Sequence, residues 1–326
     1  MTQAAEFAEV WRGPILESVH HGHAVICDDT GEIVEAWGDP SRVVLPRSSA
    51  KMIQALPLLE SGAADARKLN SAQLALACAS HQGAAIHTQR VGDWLKDLGL
   101  KDADFRCGPH MPYSREAEVE LIRAGESPCQ IHNNCSGKHA GFLTLNAHLN
   151  GGADYVEPEH PVQRACLDAF ERVTQETSPG YGIDGCSAPN FASTLHGMGR
   201  AMAHFAAAPE GSPEERLHRA MREHPELVAG EGRACTELMR AMDGRVALKT
   251  GAEGFFIAIL PHRKLGIALK AADGATRAAE CAIAALLVRL GELDANHPAA
   301  VKRLRPAILN ARGIETGSIR PAAALT

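Results

Sequence analysis

Short apolar segments with a period near two lie at both ends of this chain, while segments with a helical period fill its middle. That order constrains the fold more than any single motif does. Residues 23–27 form an apolar run, Asp28-Asp29-Thr30-Gly31 supplies turn chemistry, and residues 32–37 alternate, which together read as a hairpin. Towards the other end, residues 245–249, 255–261 and 265–271 are short, apolar and β-like, with His262-Arg263-Lys264 as a tight connection between the last two. Helical patterns cover 71–79, 87–98, 114–124, 137–149, 161–175, 191–207 and 214–222, each bounded by Gly, Pro, Ser or Asp. A further helix is expected to start at Ser48, with Pro57 kinking or ending it, and another runs over 275–290. Residues 308–319 are expected to return as an edge strand. The reading is an α+β chain with one antiparallel sheet built from both termini, about 1–65 and 240–326, and a mainly helical subdomain of about 66–239 inserted. No repeat or linker divides it, so it reads as a single catalytic domain.

Charge and composition narrow the function. The formal net charge is −6 over 326 residues, with no basic block, and aromatic residues are 4%. Neither nucleic acid nor an anionic membrane is an expected partner. The start of the chain lacks the basic and apolar regions of a secretory signal, and its most apolar stretch, 281–291, is too short to span a bilayer. A cytoplasmic location is expected. Nine scattered cysteines make an odd number. In a reducing compartment they point to thiol chemistry, metal binding or burial, not to a disulfide framework.

The informative peptide is Arg47-Ser48-Ser49-Ala50-Lys51. On a helix, Ser48 and Lys51 would share one face. A serine hydroxyl needs a base before it is a useful nucleophile, and a lysine is a base only when neutral. A helix N-terminus at Ser48 would also favour an oxyanion, and Arg47 could hold a substrate carboxylate. The plain alternative is an N-cap serine and a surface lysine. Lys249-Thr250-Gly251 follows a β-like run, and penicillin-recognising serine enzymes carry Ser-x-x-Lys and Lys-Thr-Gly in this order. Gly251 would let substrate lie close to the backbone. Ser80, in Ser80-His81-Gln82-Gly83, offers Lys249 a serine partner; otherwise it is a polar residue at a helix end.

A second cluster, Asn134-Cys135-Ser136-Gly137-Lys138-His139, is followed downstream by Asp184-Gly185-Cys186. Cys135 and Cys186 could give a zinc ion two thiolates. By ordinary zinc chemistry His139 is the obvious third ligand, while Lys138 would have to be neutral. Buried, unreactive thiols are the alternative. His20-His21-Gly22-His23, at the head of a strand, reads as structural.

Taken together, VHHGHAV, PRSSAKMIQALPL, ALACASHQG, NNCSGKHAGFL, YGIDGCSAPNFA, LKTGAEGFF and ARGIETGSIR resemble the rhizobial-type L-asparaginases over nearly the whole chain. The resemblance implies a fold like serine β-lactamases and penicillin-binding proteins, a homodimer, and hydrolysis of L-asparagine to L-aspartate and ammonia; the Ser-x-x-Lys geometry adds the expectation of an acyl-enzyme. It implies two Ser–Lys tandems, Ser48–Lys51 and Ser80–Lys249, with Ser48 the nucleophile. Arg47, His139 and Asp184 take active-site or substrate-binding roles. Cys135, Lys138 and Cys186 become ligands of a Zn²⁺. Two thiolates reduce the Lewis acidity of such an ion and a Ser–Lys pair needs no metal, so the ion is not expected to break the bond itself. Two rivals stand beside this reading: a β-lactamase or D,D-peptidase, and a non-catalytic zinc or thiol regulatory protein.

Overall fold

Both chain ends do enter one antiparallel sheet. In the computed structural model, which describes residues 3–326, eight strands form it. Seven run in the order Ala307–Leu309, Glu315–Pro321, Ala5–Arg12, Ile15–Cys27, Leu265–Ala271, Phe255–Leu260 and Ala247–Thr250, and Ile33–Trp37 also pairs with Ile15–Cys27. The first and last long strands are neighbours, with Val10 opposite Ile319 and Glu9 opposite Arg320. Phe255–Leu260 is buried at every position, as expected for a strand covered on both faces. Helices Leu195–Ala207 and Thr276–Arg289 pack against it and its neighbours.

The chain divides into two compact units. One holds residues up to Ser49, Ser193–Ala207 and Glu237–Thr326; the other holds Ala50–Ala192 and Ala208–Thr236. The expected boundary near residue 65 therefore falls at residue 50. The helix expected over 191–207 begins at Leu195, because Pro189–Phe191 and Ser193–Thr194 are extended, and it belongs to the sheet unit. Its seat explains why. A Cβ on Gly266 of the sheet would collide with the backbone at Gly199 and Ala203, so helix and strand approach more closely than any side chain there allows. The tail makes two strands, and only Ala307–Leu309 is the edge.

The helix expected from Ser48 is broken. Arg47–Ala50 is a 3₁₀ turn, Lys51–Gln54 a single α-turn, and Leu56–Glu60 restarts with Pro57 in its first turn, where a missing N–H costs nothing. The centre of the helical unit is Ser136–Leu149, buried over its first ten residues and packed on Ser71–Ala77, Ala85–Asp97 and Pro161–Thr174. Asn70 and Gln73 close a capping box on Ser71–Ala77.

Several histidines of this unit are buried without charge. His81 and His87 stack with ring centroids 4.9 Å apart, and burial lowers the pKa of both. Burial, then Arg222 and Arg219, bring His218 down to about 3. A ring whose folded pKa lies below its unfolded value contributes stability that is complete above the unfolded value and is lost as pH falls from there towards the folded one. His218 alone should cost about 2 kcal/mol between pH 7 and pH 5. Urea midpoints at the two pH values check this: His218→Leu should flatten the acid limb, and an equal loss in both proteins would remove the buried ring as its cause.

Candidate active site

The helical unit gathers Lys51, Ser80, Cys135, Lys138, His139 and Cys186. Lys51 is 1% exposed. Its Nζ donates to the Ala79 carbonyl, to Ser80 Oγ at 2.9 Å and to Cys135 Sγ at 3.1 Å. Three partners thus surround the amine. The loops that bring these partners are tied down through their backbone N–H groups: Ser80 N–H to Val228 O at 2.9 Å, His81 N–H to Asn134 O at 3.1 Å, and Cys135 N–H to the Asn133 side-chain Oδ1 at 2.8 Å. Gly137 lets the start of Ser136–Leu149 lie against the Leu76 carbonyl, which a Cβ would strike.

Cys135 Sγ donates to Asn134 Oδ1 at 3.2 Å. Cys135, 51 positions away in sequence, is the chief influence holding the Cys186 thiol well below its ordinary range. The pairing with Cys186, and burial, push the Cys135 thiol well above it. Lys138 Nζ lies 3.0 Å from Cys186 Sγ and 5.0 Å from the Phe142 ring centroid. Burial works against its charge, but Cys186, then Cys135 and Asp184, outweigh it and raise the pKa. His139 is fully buried, and burial lowers its pKa. Its Nδ1 is 2.8 Å from the Tyr155 hydroxyl, and its Nε2 has no hydrogen-bond partner. Among the described residues no group of three or more His, Cys, Asp and Glu side chains is placed to hold a metal ion. Two thiols and an amine do meet here, which with a water molecule would complete the four-coordinate shell zinc prefers. These are donors of the kind zinc takes, provided that Lys138 gives up its proton.

The sheet unit holds Arg47, Ser48 and Lys249. Arg47 opens its turn at φ +52°, a left-handed conformation that costs a non-glycine residue about 1–3 kcal/mol. Ser49 is fully buried, accepts no role in solvent, and donates its hydroxyl to the Lys249 carbonyl at 2.9 Å. Ser48 is half-buried, and its hydroxyl makes no hydrogen bond among the described residues. Lys249 is 1% exposed and its Nζ donates to the Thr250 carbonyl at 2.7 Å. Gly251 sits where a Cβ would lie 2.6 Å from Pro46 O and 3.0 Å from Ser49 Oγ. Its lack of a side chain seats the serine turn against the strand end, a use different from the close substrate approach expected of it.

Sequence reasoning missed two residues that order these groups. Ser49 is the second serine of a pair, and only burial tells the two apart. Tyr155 lies between helices with no motif around it, and nothing in the sequence pointed to it.

A family described as L-asparaginase II matches residues 8–321 of the chain. A search of curated proteins gave no match. Similar solved structures include a β-lactamase from Mycobacterium bovis, at 12% identity and TM-score 0.45, with 83% of this chain and 95% of that one covered. Another is an octameric penicillin-binding protein homologue from Pyrococcus abyssi, at 12% identity and TM-score 0.37, with 84% and 74% covered.

Proposed function

The chain belongs to the L-asparaginase II family, and on that premise we propose that it hydrolyses L-asparagine to L-aspartate and ammonia with Ser48 as the nucleophile and Lys51 as its base. The family match over nearly the whole chain carries the activity. The roles rest on the residues. Ser48 is the serine of the turn whose hydroxyl is uncommitted, whereas Ser49 is bonded to the backbone. Lys51 begins the next helical turn, away from water and in contact with Ser80.

Ser48 Oγ attacks the side-chain amide carbon and Lys51, in its neutral form, takes the hydroxyl proton. The backbone N–H at Ser48 is the donor offered to the oxyanion. Ammonia leaves once protonated, through Lys51 or through Ser80 and Lys249 as the second tandem. Water then hydrolyses the aspartyl ester at Ser48 by the reverse proton path. Arg47 and Asp184 bind the carboxylate and ammonium ends of the amino acid, with His139 ordering the groups beside them. Ammonia release from L-asparagine at mildly alkaline pH tests the activity: folded protein that releases none, with zinc supplied, would refute it.

Cys135, Cys186 and Lys138 would hold Zn²⁺. With two thiolates bound, the ion would be a weak Lewis acid that orders the amino-acid end of the substrate. Chelation is expected to raise KM about tenfold with kcat little changed. Complete loss of kcat in a folded, stripped protein would contradict that role. We assign the protein to a cytoplasmic homodimer as well. All nine cysteines are free thiols, which supports a reducing compartment, and light scattering at micromolar concentration decides the assembly.

A further inference from the structure

Residues 107–114 form no helix or strand, yet they are stitched to both of the loops that meet at Lys51. On the Ser80 side, the Ser114 N–H donates to the Gln82 carbonyl at 2.8 Å. Gly83 lies so close that a Cβ on it would be 3.1 Å from Pro112. On the Cys135 side, Asn133 Nδ2 donates to the Cys107 and Gly108 carbonyls at 2.9 and 2.8 Å. The Asn134 N–H donates to His110 Nε2 at 2.9 Å. Of these four bonds only the last ends on a side chain of the segment, so it is the one that a substitution there removes. The other ring nitrogen, Nδ1, is 2.7 Å from the Met111 carbonyl, so both nitrogens of His110 have partners. Tyr113, itself 62% exposed, stacks on the ring with centroids 4.9 Å apart.

Asn134 is therefore gripped on both sides, by the imidazole at its N–H and by the His81 N–H at its carbonyl, 3.1 Å away. The next residue, Cys135, puts its sulfur 3.1 Å from Lys51 Nζ, and Ser80 Oγ is 2.9 Å from the same nitrogen. We infer that His110 is a positioning residue for the reaction: by holding Asn134 it fixes Cys135 against Lys51, and so fixes where the lysine amine stands. This rests on the reading of Lys51 as the base. A base transfers a proton only within hydrogen-bond reach, and a misplacement of about 1 Å costs up to about 10²-fold in rate. Such a shift leaves the groups that bind the amino acid where they were, so its mark is on kcat and not on KM.

The experiment compares wild type with His110→Phe, which keeps a ring for Tyr113 to stack on but has no acceptor, and with His110→Gln, which offers a side-chain oxygen in its place. Amide hydrogen exchange, read by mass spectrometry on peptides containing Asn134, needs no activity. It is expected to quicken in His110→Phe and to stay near wild type in His110→Gln. At a temperature where all three are folded, His110→Phe should lose about tenfold to a hundredfold in kcat with KM within about twofold, and His110→Gln should stay within about threefold of wild type in both. His110→Phe with wild-type kcat and KM overturns the inference, whatever its stability. A raised KM at unchanged kcat overturns it as well, because the histidine would then serve substrate binding. Unchanged exchange in His110→Phe removes the tie to Asn134, and equal damage in both variants removes the acceptor as the cause. Should His110→Phe not fold, His110→Leu takes its place under the same criteria. Wild type that releases no ammonia refutes the reaction proposed above and His110's part in it, while the exchange rates alone still decide whether His110 holds Asn134.

Discussion

Ser48→Ala is expected to lose at least about 10³-fold in kcat for ammonia release, because the reaction proposed above has no other group in place of the Ser48 hydroxyl. Its stability should change by no more than about 0.5 kcal/mol, since the hydroxyl is half-buried and holds no hydrogen bond. Ser49→Ala makes the contrast. It breaks the bond to the Lys249 carbonyl in a buried place. A loss of about 1 kcal/mol of stability is expected, with kcat reduced by no more than about tenfold. Activity assays and urea titrations on both variants decide the matter. If Ser49→Ala is the dead variant and Ser48→Ala is active, the nucleophile is the wrong serine of the pair. If both remain active, attention passes to Ser80.

Lys51→Met should be nearly as damaging to the reaction, and far more damaging to the fold. Methionine fills the space of the lysine stem but offers no hydrogen. The Ala79 carbonyl, Ser80 Oγ and Cys135 Sγ all lose their donor at once. Stranding buried acceptors in this way costs about 2–4 kcal/mol. If Lys51 takes the proton from Ser48, kcat falls by about 10³-fold or more, comparable to loss of a general base in other nucleophilic hydrolases. Kinetics at a temperature where the variant is fully folded separate the two effects. A folded Lys51→Met with kcat within about tenfold of wild type would leave Lys51 as a structural tie between the Ser80 and Cys135 loops, since removing a general base costs about 10²–10⁴-fold.

What could be read from the sequence follows the physics of each segment. Phe255–Leu260 was legible because a strand covered on both faces is apolar throughout, and Leu265–Ala271 because it is apolar but for Lys270 and follows a recognisable turn. Ala5–Arg12 was not. Its pairing with Ile15–Cys27 slips between Glu6 and Ala8 and again between Val10 and Trp11, so the period of two that marks a strand is broken twice. Leu195–Ala207 was legible as a helix but not as part of the sheet unit, because an apolar stripe does not say which core it joins. Gly199 and Gly266 decide that, and their meeting is visible only in three dimensions. At the site, the Ser-x-x-Lys and Lys-Thr-Gly peptides could be found by motif. Cys135 and Cys186 lie too far apart for spacing to join them, and the choice of Lys138 came from family resemblance. Their meeting is a tertiary fact. The orientation of His139 depends on Tyr155 and the Arg106 amide, neither of which carries a pattern of its own.

The tie from Ser49 to the Lys249 carbonyl, packed over Gly251, has a consequence for anyone who wishes to alter this enzyme. The strand Ala247–Thr250 is not an inert frame on which the Arg47–Ala50 turn happens to rest. Changes made there to improve solubility, heat tolerance or substrate range will be transmitted to the Arg47–Ala50 turn through a single hydroxyl and a missing methyl group. Directed evolution should therefore find stability and turnover inherited together along this strand, with gains in one repeatedly traded against the other. Variation in the Ala5–Arg12 strand, which bears no such tie, should be free of that bargain.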